Sequence, residues 1–309
     1  MVLREGTHLI QDAAMMRNQL RLRCLVVPAF LLLFVGPVLA DEVRCGICGE
    51  VIEGDAYFIT DRVTGEKVEV CDKCAKLPHR CFLCGLPVRT NSLSLPDDRY
   101  CCARDAKEAV VDQREAEKMF IDVEGELNRL FARFLTFPSD TNVTFAMIDR
   151  VDIQDLFKYA GNDYTCPDVW GYMESKTNGG QMKHDINLLS ALPLEYFKAT
   201  CAHEYAHAWM HENVSPVRLK KLSHDSIEGF CELVAYMLMD SENSDAGKKH
   251  VLQNTYTRGQ VQLFIDAKER FGFNDVVDWI QYGTDVRLDA HEPTRIRDVV
   301  MPKAGADKR

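Results

Sequence analysis

The chain has no surplus of positive charge. Its 309 residues carry 37 Lys and Arg against 47 Asp and Glu, a formal net charge of -10. The basic footprint of a nucleic-acid binder is therefore missing, and no nucleic-acid partner is expected. An acidic balance favours solubility without naming a partner. Long apolar runs are scarce too. After Leu25–Val38 no run is long enough to span a bilayer, so no stable membrane span is expected downstream. Residues 41–105 hold few large apolar side chains and cannot build much core alone. Residues 106–135 contain no glycine except Gly125, which favours a helix over a loop.

What is present begins with a targeting pattern. Arg17, Arg21 and Arg23 precede the apolar run, and Val38-Leu39-Ala40 offers a small-residue cleavage site before Asp41. This order is that of a secretory signal peptide over residues 1–40, with Met15 or Met16 as the expected start. The expected location is periplasmic or secreted. An uncleaved anchor and a buried helix are the other readings of the run.

Export would favour disulfides, yet the cysteine spacing points to metal. Cys45 and Cys48, Cys71 and Cys74, and Cys81 and Cys84 each lie three positions apart, followed by Cys101, Cys102 and Asp105. Gly49 and Gly85 each follow the second cysteine of a pair. Two thiolates at this spacing share one ion when the chain turns tightly, and glycine permits the turn. Grouped in order, Cys45, Cys48, Cys71 and Cys74 make one structural zinc site. Cys81, Cys84, Cys102 and Asp105 make a second. Spacing leaves Cys101 and His79 as alternative ligands. Tyr57–Thr60, Val68–Val70 and the stretch near Tyr100 read as short strands, with Asp61–Gly65 as a hairpin turn.

Phe120, Val123, Leu127, Leu130, Phe131 and Phe134 recur at three and four positions, an amphipathic helix that links the cysteine region to the larger domain. Val143–Ile148, Gly171–Glu174 and Ile186–Leu192 read as strands; Asp149–Tyr159 is ambiguous. The last of these strands is open to two readings, a peptide-holding edge or an interior strand. Glu195–His211 reads as a helix opened by Pro193. On it, His203 and His207 stand at i and i+4, which puts both imidazoles within reach of one ion. Glu204 lies beside the first and is placed to act as general base on a zinc-bound water.

A catalytic zinc takes three protein ligands. Residues 226–239 form a second apolar helix with two carboxylates, Glu228 and Glu232. Glu228 follows His207 by 21 positions, a spacing found in peptidases that use two His and one Glu, and is the expected third ligand. Glu232 then supports it. His224 is the best transition-state donor among the remaining histidines, His211, His250 and His291. Tyr256 and Tyr282 are weaker oxyanion candidates. Cys166, Cys201 and Cys231 read as plain buried thiols, with Cys201 and Cys231 able to pair on export.

With these motifs placed, Cys81–Val88, Ala202–Trp209 and Ile227–Tyr236 resemble the plant growth-regulating peptidases activated by ubiquitin. Those join a LIM-type zinc module to a metallopeptidase domain, and the bacterial relatives of that family are most similar. Tyr256–Gly259 and Arg270–Phe273 are further landmarks. The residue patterns and the resemblance together give the expected α+β fold: a signal peptide over 1–40, a LIM-like double zinc module over 41–105, a linker helix over 106–135 and a zincin-like metallopeptidase domain over 136–309. The resemblance implies hydrolysis of peptide bonds in protein substrates, one catalytic and two structural zincs, and a possible protein partner for the LIM-like module. Two features depart from the family. Six residues separate Cys74 from Cys81 where a LIM module has two, and Cys71 stands where its first site has a His. No segment resembles the plant ubiquitin-binding helices. The expected function is a zinc endopeptidase. The alternatives are a LIM-like interaction scaffold with an inactive peptidase domain, and a non-peptide zinc hydrolase.

Overall fold

The computed structural model describes residues 42–139, 141–159, 169–253, 260–285 and 287–288. The signal-peptide reading lies outside them, as do Cys166, Tyr256, the Tyr256–Gly259 landmark and His291. No helix among the described residues is long and apolar enough to cross a membrane.

The cysteine-rich half is built from one turn used twice. In the first copy the Gly49 amide donates to the Cys45 carbonyl at 2.8 Å and the Cys45 amide to the Glu50 carbonyl at 2.9 Å. In the second, the Gly85 amide donates to Cys81 at 2.9 Å and the Cys81 amide to Leu86 at 2.8 Å. Gly49 has φ +80° and Gly85 φ +76°, a region where a Cβ is strained. Between the copies lies the antiparallel hairpin β1 (Ala56–Thr60) and β2 (Lys67–Cys71), followed by one turn of helix, α1 (Asp72–Ala75). Asp61 caps the hairpin turn by accepting from the amides of Val63 and Thr64 at 2.8 and 3.2 Å. The pair β3 (Leu93–Ser94) and β4 (Tyr100–Cys101) closes this half, before a short 3-10 turn at Asp105–Lys107.

The helix expected over 106–135 is shorter. It is α2 (Gln113–Leu130), started by Asp112, whose side chain accepts from the Glu115 amide. Residues 108–110 pair instead with the segment before the histidine helix. Ala109 bridges Pro193 antiparallel, the Val110 amide donates to Leu192 at 2.8 Å, and the Ala191 amide donates to Val110 at 2.9 Å. Ala116, Phe120, Val123 and Leu127 form the buried face of α2, at helical spacing.

The next sheet has the order β5 (Val143–Ile148), β7 (Gln181–Leu189), β6 (Gly171–Asn178). β5 and β7 are parallel, joined through α3 (Arg150–Tyr159), the stretch whose sequence is ambiguous. β6 and β7 are antiparallel across a turn at Gly179 and Gly180, both with positive φ. β7 is thus the interior strand, and its run Ile186, Leu188 and Leu189 is fully buried. The edge reading of this stretch is corrected: the exposed edge beside the helices belongs to β6.

Against the sheet lies α4 (Leu194–Asn213), entered through Pro193. It has no polar face, because α2, the sheet, α7 (Asp245–Leu252) and α6 (His224–Ser241) surround it. The short α5 (Pro216–Leu219) links α4 to α6, and α8 (Gln260–Phe271) and α9 (Phe273–Tyr282) back α6. A single apolar cluster reaches from Cys81 and Cys84 through α2, β7, α4 and α6 to Trp279 and Ile280. Cys45, Val70 and Cys74 form a small separate cluster. The whole is a mixed α/β fold in which cysteine-rich clusters precede a helical His/Cys cluster.

Candidate metal centres

The hairpin and its turn bring Cys45, Cys48, Cys71 and Cys74 together, with donor atoms all within 4.8 Å of one another. Burial raises thiol pKa values, but amide donors from Cys71, Cys48 and Ile47 outweigh it at Cys45 and hold that thiol near 6. Burial and the neighbouring sulfurs push Cys74 up. Cys81, Cys84, Cys102 and Asp105 converge in the same way. Cys101 is buried outside this group, and His79 stacks on Tyr100 at 3.9 Å. Cys81 Sγ lies 3.2 Å from Asp105 Oδ2, and Arg104 Nε donates to Asp105 Oδ1 at 2.6 Å. The same Arg104 binds Asp61, which is 1% exposed. One guanidinium therefore ties the hairpin turn to the second cluster, an arrangement that local spacing does not reveal.

The third cluster lies between α4 and α6. His203 Nε2 and His207 Nε2 face each other at 3.0 Å, and Cys231 Sγ completes the group of donors within 4.8 Å. This corrects the expected His203, His207 and Glu228 set: the third member of the cluster is Cys231, which reads in sequence as a plain buried thiol. Glu228 stands beside the histidines as their charge partner. Its carboxylate oxygens lie 3.2 Å from His203 Nε2, 3.6 Å from His207 Nε2 and 3.6 Å from His224 Nε2. Burial would raise its pKa, but the imidazoles hold it well below the usual carboxylate range. Glu232 Oε1 is 3.5 Å from His203 Nδ1. Burial disfavours a charged His203, yet Glu232 and Glu228 outweigh it and raise its pKa well above 6.5. Cys231 Sγ also lies 3.9 Å from Met210 Sδ, and Cys201 and Cys231 are both free and buried, not paired.

Glu204 is 6% exposed and is not one of the cluster's donors. Its carboxyl packs on the backbone of β6. A Cβ added at Gly171 would collide with Glu204 Oε1 and stand 2.7 Å from Thr200 Cγ2. Burial raises its pKa, against the opposing pull of His203 and His207. The expectation of a His-His-Glu zinc endopeptidase with Glu204 as base is therefore corrected to a His/Cys metal cluster. The hydrolase, protease and metalloprotease reading falls with it. His224 is largely exposed and Tyr282 ends α9, away from the cleft residues. His250 packs against both Trp170 at 4.7 Å and Tyr196 at 4.1 Å, and burial holds its pKa near 4. One signal in the sequence does point to Cys231: it lies three positions after Glu228, on the same face of α6.

The donors fit metal ions chemically. Two imidazole nitrogens aimed at each other at 3.0 Å need a shared proton or a shared cation, and packed thiols need a cation to be charged together. Fold and clusters together describe a mixed α/β protein with three side-chain clusters able to hold a metal ion, two of them in a cysteine-rich N-terminal region. Residues 169–269 match the family model described as DA1-like, Protein DA1, and the chain contains a DA1-like domain over that span. No curated protein and no solved structure matches the chain.

Proposed function

We propose that this protein is a zinc-bearing interaction scaffold: a LIM-like double zinc module joined to a DA1-like domain of zincin-like architecture that holds metal without hydrolysing peptides. The observation that carries the reading is the donor chemistry. Two clusters have four converging donors each, and such sites are closed to substrate when filled. Zinc would be held by Cys45, Cys48, Cys71 and Cys74, and by Cys81, Cys84, Cys102 and Asp105. A third ion would be held by His203, His207 and Cys231. Bound zinc would supply folding energy that the sparse apolar content of the first half does not.

The protein's own residues prepare these sites. The Gly49 and Gly85 turns aim paired sulfurs inward, and Arg104 fixes Asp105 for the second cluster. Glu232 Oε1 stands 3.5 Å from His203 Nδ1, a contact that favours presenting Nε2 to a metal. The test combines metal and cleavage measurements on one preparation. Elemental analysis should give about three zincs per chain, falling by one in Cys231→Ser. Incubation with denatured protein substrates should yield no new termini by mass spectrometry. Zinc-dependent cleavage that disappears in Glu204→Gln would overturn the scaffold reading. Loss of one zinc in Glu228→Gln, with none lost in Cys231→Ser, would move the third donor to Glu228.

A further inference from the structure

A cleft of about 740 Å³ runs from the His203–His207 pair to the cysteine-rich half. Its two ends differ in charge. At the metal end stand Glu204, Glu228 and Glu232, facing the imidazoles. At the other end the wall carries Arg62, Arg80, Arg99 and Arg150, against Asp98. Arg99 is committed: it is 6% exposed, binds Asp97 at 2.7 Å and donates to Ser190 at 2.8 Å. Arg62 and Arg80 are different. Both are exposed. Arg62 Nη2 donates to the carbonyls of Cys81 and Phe82 at 3.4 and 3.0 Å, and Arg80 Nη2 to the carbonyl of Ala75 at 2.7 Å. Among the described residues neither guanidinium meets a carboxylate.

We infer that the Arg62–Arg80 end of this cleft is a docking site for an acidic peptide segment of a partner protein. This deepens the scaffold reading and rests on it. A carbonyl fixes a guanidinium in place but leaves its charge uncompensated, so the pair is preorganised for carboxylates. The chain as a whole carries -10, so acidic partners are repelled elsewhere on its surface and admitted here. Between the ends, the stacked Trp170, His250 and Tyr196, with Phe82 and Tyr172, give an apolar lining for the side chains between acidic residues.

The test uses the full zinc-loaded chain and a fluorescein-labelled peptide of glutamates interspersed with apolar residues, followed by anisotropy. A second peptide replaces every Glu by Gln. The acidic peptide should bind at least about tenfold more tightly. Arg80→Glu, on an exposed side chain, should abolish most of that difference while zinc content stays unchanged. Arg62→Gln should weaken binding in the same direction. Equal binding of the two peptides, or an Arg80→Glu variant that still prefers the acidic one, would overturn the proposal. So would equal competition by a single-stranded oligonucleotide of matched charge. The peptide is recovered and weighed in each case. A peptide bound and cut leaves the docking site standing and removes the scaffold reading; an intact peptide that never binds does the reverse.

Discussion

The thiols of the first cluster sit at different points on the pH scale, and this governs how they take up metal. Cys45 is held near 6 by amide donors despite its burial, so it is already a thiolate at pH 7. Cys48 and Cys74 are raised, Cys74 chiefly by burial and neighbouring sulfurs, and remain protonated there. Zinc binding must therefore expel at least the protons of Cys48 and Cys74. Each expelled proton steepens log affinity by about one per pH unit. Affinity should rise as pH rises and fall as pH falls, by about a hundredfold or more per unit around neutrality. Competition with a chromophoric chelator at several pH values measures this, and a flat profile would contradict thiolate ligation. The groups themselves are legible in sequence, because paired cysteines at fixed spacing leave few ways to share an ion. The tie from Arg104 to Asp61 is not, since its two ends are 43 positions apart. Cys231 escapes sequence reasoning for the opposite reason: a buried thiol on an apolar helix is usually just packing.

Among the elements, β6 and α4 approach closely at one glycine. Gly171 is half-buried and lets the strand lie on the Glu204 carboxyl and the Thr200 methyl. Both neighbours sit on a helix buried on nearly every side, so neither can retreat cheaply. Gly171→Ala should destabilise the protein by roughly 1–3 kcal/mol, the range for overpacking a filled site. Urea unfolding would show it as a lower midpoint with unchanged slope; an unaltered midpoint would mean that the strand shifts freely. Sequence pattern finds β5 at Val143–Ile148 and, over Ile186–Leu189, the C-terminal part of β7, because β-branched and large apolar residues gather there. It does not assign the order of the strands. That order depends on the crossover through α3, whose sequence is ambiguous.

At the scale of the molecule, the two cysteine clusters have different support. Cys81 and Cys84 belong to the main apolar core, whereas Cys45 and Cys74 share a small cluster with Val70. Local opening is easiest where few apolar contacts must break. Hydrogen exchange on the zinc-loaded protein should therefore show amides of Val51 and Val68–Val70 opening well before those of Leu127 or Leu188. Chelator should widen that gap by releasing the first zinc before the second. Simultaneous loss of both zincs in one cooperative step would refute the ordering.

The pairing of residues 108–110 with 191–194 also fixes a length. Val110 is 4% exposed and in register with Leu192, between Asp105 at the second cluster and Asp112 at the start of α2. One inserted residue would turn Val110 out of its seat, or drag a donor or a helix cap from its place. Insertions and deletions should thus be tolerated at the exposed turn around Gly179 and Gly180 and selected against between Asp105 and Asp112. In any lineage carrying this architecture, that joint should vary in letters but not in length.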